Sequence, residues 1–283
     1  MNKINFYNKT KVIDITQDHI MPETLTIMKA DCLKEEKNLY LYHFLTAFPD
    51  EPTIVFTNSI SSSKRVKSFL DIAGMSSICL HAEMQQSQRI KKLDQFRDEK
   101  YRVLIATDLA SRGIDISNIS LVIHYHTPKD MDTMVHRCGR TARLGREGTT
   151  IILADSEDRK RLAIYVSDIG KDKISNITVP FEKLDPIREV VSESMALEKE
   201  EHRHNLKMKD KSWSKKMADQ VGIILSDEEN EEDREVDKQK NNAIRKKKAK
   251  IRKVSKKGLI LESSEKQYWE VFKSYKKCIP DPL

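Results

Sequence analysis

Four arginines recur at every third position of the segment HRCGRTARLGREG, residues 136–148, namely Arg137, Arg140, Arg143 and Arg146. A guanidinium group stays charged at neutral pH and presents a planar fork that matches phosphate oxygens, so such a cluster suits the charge of phosphoryl transfer. The spacing predicts that several of them project toward one side of a helical turn. Arginines alone would favour a solvated basic helix, but His136, Gly139 and Thr141 at fixed spacing favour a functional site.

A second candidate is the segment VLIATDLASRGIDI, in which an apolar strand runs directly into a polar loop. The hydroxyl of Thr107 at the strand end could bind a phosphate, Gly113 would let the backbone approach a ligand, and Asp115 could accept a hydrogen bond from a ribose hydroxyl. An ordinary strand-to-helix turn with a Thr or Asp N-cap explains the same residues equally well.

The third candidate lies in the segment LHAEMQQSQRIKKLDQF. Gln86 and Arg89 are one helical turn apart, so both could face one ligand near a helix start, where the helix dipole also favours an anion. Taken singly, the plainer interpretation is favoured: Arg89 would be a surface cation on a helix whose core face is Ile90, Leu93 and Phe96.

The elements that must hold these segments are predicted by the pattern of apolar residues. Strands are predicted at residues 25–29, 53–57, 77–80, 102–107, 121–125 and 149–153, and helices at 34–47, 61–72 and 85–97. Tracts such as TIVF and VLIA are apolar without alternation, which is typical of strands covered on both faces. The predicted fold class is α/β, a parallel sheet covered by helices on both faces, with functional loops at the carboxyl ends of the strands.

Composition predicts that only part of the 283 residues forms this core. Charged residues make up 34%, the mean hydropathy is −0.61 and the net charge is +7, which permits but does not establish binding to a polyanion. The four cysteines contain no CxxC pair, which argues against a zinc site and a disulfide scaffold. We expect neither a signal peptide nor a membrane span, because no apolar run is long enough.

The sequence changes character after Pro180. Residues 181–225 are expected to form a charged helical extension. Residues 226–237 hold eight acidic side chains and one basic, and residues 238–257 hold eleven basic side chains and no acidic one. Blocks of like charge repel themselves and usually stay disordered or act as interaction arms. Within the final segment, 258–283, residues 263–277 could form a small amphipathic docking helix.

The three candidate segments and the segment TIVFTNS occur in the order and spacing of the C-terminal motifs of superfamily 2 helicases. Their residues resemble those of the DEAD-box RNA helicases in particular. The resemblance covers about residues 20–180 and makes 25–180 a RecA-like domain, with 1–24 as the remnant of a linker. It implies that this domain closes with an N-terminal RecA-like domain, in cis or in trans, over ATP and single-stranded RNA. The Mg²⁺ ion would be held by that other domain.

The resemblance also implies roles for single residues. Arg140 and Arg143 would reach the γ-phosphate as arginine fingers, His136 would link the nucleotide site to the RNA side, and Asp115 would contact the nucleotide sugar. The residues that would contact RNA, or brace the loop that does, are Asn58, Gln86, Arg89, Thr107, Arg112 and Gly113. Contacts of this kind reach phosphates rather than bases, so binding should depend on salt more than on RNA sequence.

This sequence departs from the family pattern in two ways. Ala142 stands where most of the family has glycine, a change that we expect a helix to tolerate. More importantly, the chain contains no GxxxxGK[ST] phosphate loop, no Asp-Glu-Ala-Asp and no Ser-Ala-Thr. We therefore expect that this polypeptide alone does not hydrolyse ATP at a useful rate, although the family is an ATP-hydrolysing one.

Sequence outside the motifs, such as KSWSKKMADQVGIILSDEE, resembles the nucleolar branch of the family that acts in assembly of the large ribosomal subunit. That implies pre-ribosomal RNA as substrate, the pre-60S particle as partner and a nucleolar location. The lysine-rich block 245–257 would suit nuclear import and additional RNA affinity. Two alternatives stay open. The first is a non-catalytic RNA-binding or assembly module. The second is half of a DNA helicase; those resembling the RecQ branch would carry a cysteine-rich zinc module after the motor, and the scattered cysteines of this chain cannot form one.

Overall fold

A single seven-stranded parallel sheet forms the centre of the computed structural model, which describes residues 21–111, 119–143, 145–170, 173–221 and 231–262. Its strands are β1 (Leu25–Asp31), β2 (Thr53–Thr57), β3 (Ser77–Leu80), β4 (Val103–Thr107), β5 (Leu121–His124), β6 (Gly148–Ala154) and β7 (Ile174–Ile177). They are ordered β3-β4-β2-β5-β6-β1-β7, and every pair of neighbours is parallel. The predicted parallel α/β sheet is confirmed.

Helices connect the strands and cover both faces of the sheet. They are α1 (Lys37–Ala47), α2 (Ile60–Ile72), α3 (Gln86–Arg97), α4 (Asp108–Ser111), α5 (Met131–Cys138), α6 (Arg159–Ile169), α7 (Phe181–Val221) and α8 (Glu231–Glu262), with a short 3-10 turn at Lys34–Glu36. One core lies between the sheet and α1, α2 and α7. The opposite face packs against α3 near β4 and against α5 and α6 near β1.

Strand β2 shows why the central strands have no polar alternation. Val55 belongs to the core beneath α1 and α2, whereas Ile54 and Phe56 belong to the core beneath α3. Successive strand residues point to opposite faces, so a strand covered on both sides must be apolar at every position. This arrangement fixes the carboxyl ends of the strands, which carry the candidate functional loops.

Strand β7 and helix α6 are among the elements that were not predicted from the sequence. Strand β7 has only four residues, ISNI, of which the two outer ones are buried. Helix α6 buries only Leu162 and Tyr165, so its apolar stripe is narrow. In α3 the predicted core residues Leu93 and Phe96 are buried, but Ile90 is half exposed.

The charged extension folds back on the domain as two long helices. Helix α7 packs against α1 and α2, and α8 packs against α7. Much of the block 226–257, predicted as a low-complexity segment, lies in α8, because Ile244 and Ile251 are seven residues apart and form a small core with Ile72 and Leu197. The predicted linker remnant up to residue 20 and the helix predicted at 263–277 lie outside the described residues.

No helix in the described part of the chain is both long and apolar enough to cross a membrane. Three cysteines, Cys32, Cys79 and Cys138, are free thiols in that part, and Cys278 lies outside it.

Candidate functional site

The carboxyl ends of β4, β2 and β5 lie side by side, because β2 pairs with both of the other strands. A polar residue follows each strand within two positions: Asp108 after β4, Asn58 after β2 and His126 after β5. Ligand sites of open parallel sheets form at this edge.

Arg137, in the last turn of α5, joins all three loops. Its Nε and Nη2 donate to the two carboxylate oxygens of Asp108 at 2.6 and 2.9 Å, and its Nη1 donates to the carbonyl oxygen of His126 at 2.7 Å. Nη2 also donates to Oδ1 of Asn58 at 2.7 Å, and the guanidinium carbon lies 5.1 Å from the ring centre of Phe56. Four of its five N–H groups are therefore engaged inside the protein.

The prediction that several of the four arginines project toward one side of a helical turn is wrong. Helix α5 ends at Cys138, and Gly139 caps it, so the later arginines are not on a helix. Arg137 is only 2% exposed and faces inward. Arg140 and Arg143 come after the helix end and are half-buried, and Arg146 is exposed.

The turn that carries Arg140 and Arg143 is fixed at several points. Nε of Arg143 donates to the carbonyl oxygen of Gly139 at 2.7 Å, and the buried hydroxyl of Thr141 donates to the carbonyl oxygen of Ile119 at 2.7 Å. These anchors fix the side chain of Arg143 and the backbone between Arg140 and Arg143.

Ala142 is not on a helix either. The expectation that alanine is tolerated at this position because it lies on a helix is therefore corrected. Its φ is +55°, in the left-handed region that costs a residue with a Cβ about 1–2 kcal/mol. A glycine, which most of the family has at this position, would avoid that strain. The adjacent strand start is equally tight, because a Cβ on Gly148 would lie 2.4 Å from the backbone nitrogen of Ala142.

The predicted pair Gln86 and Arg89 does lie at the start of α3, with Oε1 of Gln86 accepting from Arg89 at 3.3 Å. Nη2 of Arg89 donates to the carbonyl oxygen of Ala110 at 3.0 Å, which ties α3 to α4 just after Thr107, the buried last residue of β4. Nε of Arg89 is buried and has no hydrogen-bond partner among the residues that the structure describes.

The other predicted site residues are placed differently. His136 is exposed on α5, next to the inward-facing Arg137. The side-chain amide of Asn58 is engaged at both ends, since its Nδ2 donates to the carbonyl oxygen of Thr127 at 3.0 Å. Arg112, Gly113 and Asp115 lie outside the described residues.

Two histidines at this edge are neutral at pH 7. Burial, with the nearby Lys37 charge as a lesser cause, lowers the pKa of His126 to about 4, and its Nδ1 accepts from the backbone N–H of Asn58 at 3.2 Å. Burial, assisted by the charge of Arg137, also holds the pKa of His124 well below its usual range. The cationic charge at this edge therefore comes from arginine and lysine side chains.

Lys37 belongs to a second buried charge cluster that sequence reasoning missed. Its Nζ lies 2.9 Å from Oδ2 of Asp155 and 2.9 Å from Oδ2 of Asp158, and all three side chains are less than a tenth exposed. The pairing of Arg137 with Asp108 was also missed. One signal was available: Asp108 directly follows a predicted central strand, where a partly buried carboxylate is stabilised by a nearby cation.

In the described part of the chain, no three His, Cys, Asp or Glu side chains lie together as metal ligands would.

Comparison with known proteins agrees with this geometry. The profile of the helicase conserved C-terminal domain matches residues 36–145. The ATP-dependent RNA helicase ddx24 of Dictyostelium discoideum is 36% identical over 248 residues, which are 85% of this chain and 26% of that protein. The ATP-dependent RNA helicase MAK5 of Kluyveromyces lactis is 32% identical over 267 residues, 87% of this chain and 33% of that protein. The chain thus spans about a quarter to a third of these relatives.

Among solved structures, the E. coli DEAD-box protein SrmB, bound to regulator of ribonuclease activity A, matches with a TM-score of 0.50 and 30% identity. The match covers 56% of this chain and 93% of the SrmB chain, so it extends over nearly all of that structure. Sheet, motif order and relatives agree: the chain belongs to the DEAD-box RNA helicases and carries their C-terminal RecA-like domain.

Proposed function

We propose that this chain is the C-terminal half of an ATP-dependent RNA helicase and acts together with an N-terminal RecA-like domain, in cis or in trans. The observation that carries the proposal is the turn after α5, in which Arg140 and Arg143 are half-buried and held by anchored neighbours. A binding protein without turnover has no need of arginines that face a nucleotide.

In this proposal the N-terminal domain binds the phosphates of ATP with Mg²⁺, which stabilises the charge on the phosphate oxygens. Arg140 and Arg143 contribute positive charge to the γ-phosphate as it is transferred to water. Asp115 contacts the nucleotide sugar, and His136, exposed on α5, links the nucleotide site to the RNA side. Arg137 has a different task, because its donors are already engaged: it fixes the start of the arginine turn against the strand ends.

RNA would bind at the start of α3 and the end of β4. Arg89 and Gln86 lie together at this helix start, and Nη2 of Arg89 links it to the carbonyl oxygen of Ala110 just after β4. Thr107, Arg112 and Gly113 would contribute further contacts to the RNA backbone or brace its loop. Asn58 would act through its bond to Arg137, because its amide is engaged within the protein.

The substrate that we propose is pre-ribosomal RNA in a pre-60S particle, with a nucleolar location. Support comes from the similarity to ddx24 and MAK5, which are named ATP-dependent RNA helicases, and from the branch wording of the extension. Crosslinking of the tagged chain to RNA in cells tests this, since ribosomal precursors should be enriched over messenger RNA.

The decisive experiment measures RNA-stimulated ATPase activity of the chain alone and after addition of the N-terminal motor domain of a close relative. We expect activity only in the mixture. Arg140→Ala or Arg143→Ala should lower kcat by about 10³-fold or more, with little change in RNA affinity. Arg146→Ala is the matched control, because Arg146 lies in the same segment but is exposed.

Two results would contradict the proposal. One is unchanged turnover in both the Arg140→Ala and the Arg143→Ala variant. The other is no activity with an added domain that is folded and paired, while RNA binding that weakens with salt is retained. The second result would favour the alternative, a non-catalytic RNA-binding or assembly module.

A further inference from the structure

Helix α8 is attached to the domain through a buried serine. The Oγ of Ser255 donates to the carbonyl oxygen of Ala73 at 2.7 Å and lies 2.8 Å from the hydroxyl oxygen of Tyr42 on α1. One turn earlier, Nε of Arg252 donates to the carbonyl oxygen of Asp71 at 3.0 Å. Both acceptors lie at the carboxyl end of α2, where helix carbonyls lack partners within the helix, so α8 caps α2.

Among the side chains of α8 that the structure describes, few others attach it. In that part of the helix, Ile244 and Ile251 are the buried apolar residues, and they lie in the small core that it shares with α2 and α7. The ion pairs Lys247–Glu200 and Lys248–Glu201 join α8 to α7 at positions that water can reach. Elements with few buried apolar contacts open locally at a small fraction of the global unfolding free energy. Ser255 is therefore buried in the docked state but becomes accessible whenever α8 opens.

The sequence around Ser255 reads Arg-Lys-Val-Ser-Lys-Lys, with Arg252 three residues before the serine and lysines on both sides. Kinases select substrates by such charge patterns. We propose that Ser255 is a phosphorylation site for a serine/threonine protein kinase that favours basic peptides, and that the phosphate releases α8 from α1 and α2. The Oγ of Ser255 forms a bond to the γ-phosphorus of ATP, the bond from that phosphorus to ADP breaks, and the hydroxyl proton leaves.

The release is explained by the surroundings of Ser255. Phosphorylation removes the hydroxyl proton that Ala73 accepts and adds about 1.5 to 2 negative charges. Those charges would face the carboxyl end of α2, whose carbonyl oxygens already carry partial negative charge. A phosphate would also be enclosed, since Ser255 is 1% exposed and its Oγ lies against the carbonyl oxygen of Ala73 and the hydroxyl of Tyr42.

A second serine offers a matched comparison. Arg65 stands three residues before Ser68, so the sequence repeats the Arg-x-x-Ser spacing. Ser68 lies in the middle of α2, beside the core of the domain, and Arg65 is held there by both oxygens of Glu198 at 3.0 and 2.8 Å. Because α2 cannot open without disrupting that core, we expect Ser68 to stay unmodified under conditions that modify Ser255.

The test incubates the purified full chain with ATP and protein kinase C, which favours basic residues on both sides of serine, and maps phosphate by mass spectrometry. In the wild-type chain we expect phosphate on Ser255 and none on Ser68. The Ser255→Ala variant should take up no phosphate at this position or at Ser68. Ile251→Asp should undock α8 and speed modification about 10-fold or more, because the open state becomes the major one. Circular dichroism confirms that the sheet stays folded in that variant.

Hydrogen exchange then reports the release. In the phosphorylated chain, amides of α8 between Ile244 and Ser255 should exchange about 10-fold faster or more, while amides of β2 stay unchanged. Three results would overturn the proposal: phosphate on Ser68 in place of Ser255, modification of Ser255 only in Ile251→Asp, or unchanged exchange of α8 after modification.

Discussion

Removing the carboxylate of Asp108 should destabilise the domain far more than its partly exposed position suggests. Asp108→Ala deletes two of the four hydrogen bonds of Arg137 and leaves a guanidinium with 2% exposure without its counter-ion. Breaking a buried ion pair from one side costs about 3–5 kcal/mol. Because the Asp108 side chain is 32% exposed, water can partly replace it, so we expect a loss of about 2–3 kcal/mol.

Urea unfolding of four chains separates this ion pair from unrelated effects: wild type, Asp108→Ala, Arg137→Met and the double variant. We expect the double variant to be more stable than the sum of the single losses predicts, by about 2 kcal/mol, because the charge that lost its partner is gone. Lys64 and Glu83 form the matched control, a pair 54% and 60% exposed, with an expected coupling below about 1 kcal/mol. Equal coupling in the two cycles would refute the assignment of Arg137 as a buried clamp.

Three further outcomes are expected. Gly148→Ala should lose about 3 kcal/mol of unfolding free energy, because the new Cβ would lie 2.4 Å from a backbone nitrogen. Gly145→Ala should lose only about 1 kcal/mol, because its Cβ would meet open space and only the φ of +74° is unfavourable. Lys37→Met should lose about 3 kcal/mol, because two buried carboxylates lose their cation. Since the folded pKa of His126 is about 4, below its unfolded value, the unfolded chain binds more protons between pH 6.5 and 4. Stability should therefore fall by up to about 3 kcal/mol over that range, and less in His126→Asn, as urea melts at several pH values would show.

The sequence was sufficient for the sheet because its central strands obey one constraint. A tract such as TIVF must be covered on both faces, and helices between such tracts force parallel neighbours, so β2, β4 and β5 can be derived from the apolar pattern. The order of the motifs then placed their loops at the carboxyl edge. Strand β7 was not predicted because it is a four-residue edge strand with two polar residues, and its apolar pattern is too weak to indicate a strand.

The direction of the arginines could not be predicted from their spacing. A repeat of three residues indicates one side of a helix only while the helix continues, and here it ends at Cys138. Whether Gly139 ends a helix or lies within it depends on the residues after it, and the buried Thr141 and the left-handed Ala142 are fixed by contacts with the start of β5 and β6. Such contacts between distant parts of the chain leave no local signal.

Charge patterning left open whether the block in α8 is disordered or an interaction arm, for a related physical reason. Repulsion within a basic block is real, but α7 supplies glutamates at Glu200 and Glu201 for two of its lysines, and Ile244 and Ile251 supply the apolar stripe. A charge block is therefore disordered or docked according to the acidic surface that the fold brings against it. In this chain the acidic partner lies about 47 residues upstream, on helix α7, which packs against α1 and α2. The same dependence makes the docking sensitive to charge, because the phosphate that we propose on Ser255 would add about 1.5 to 2 negative charges beside the end of α2.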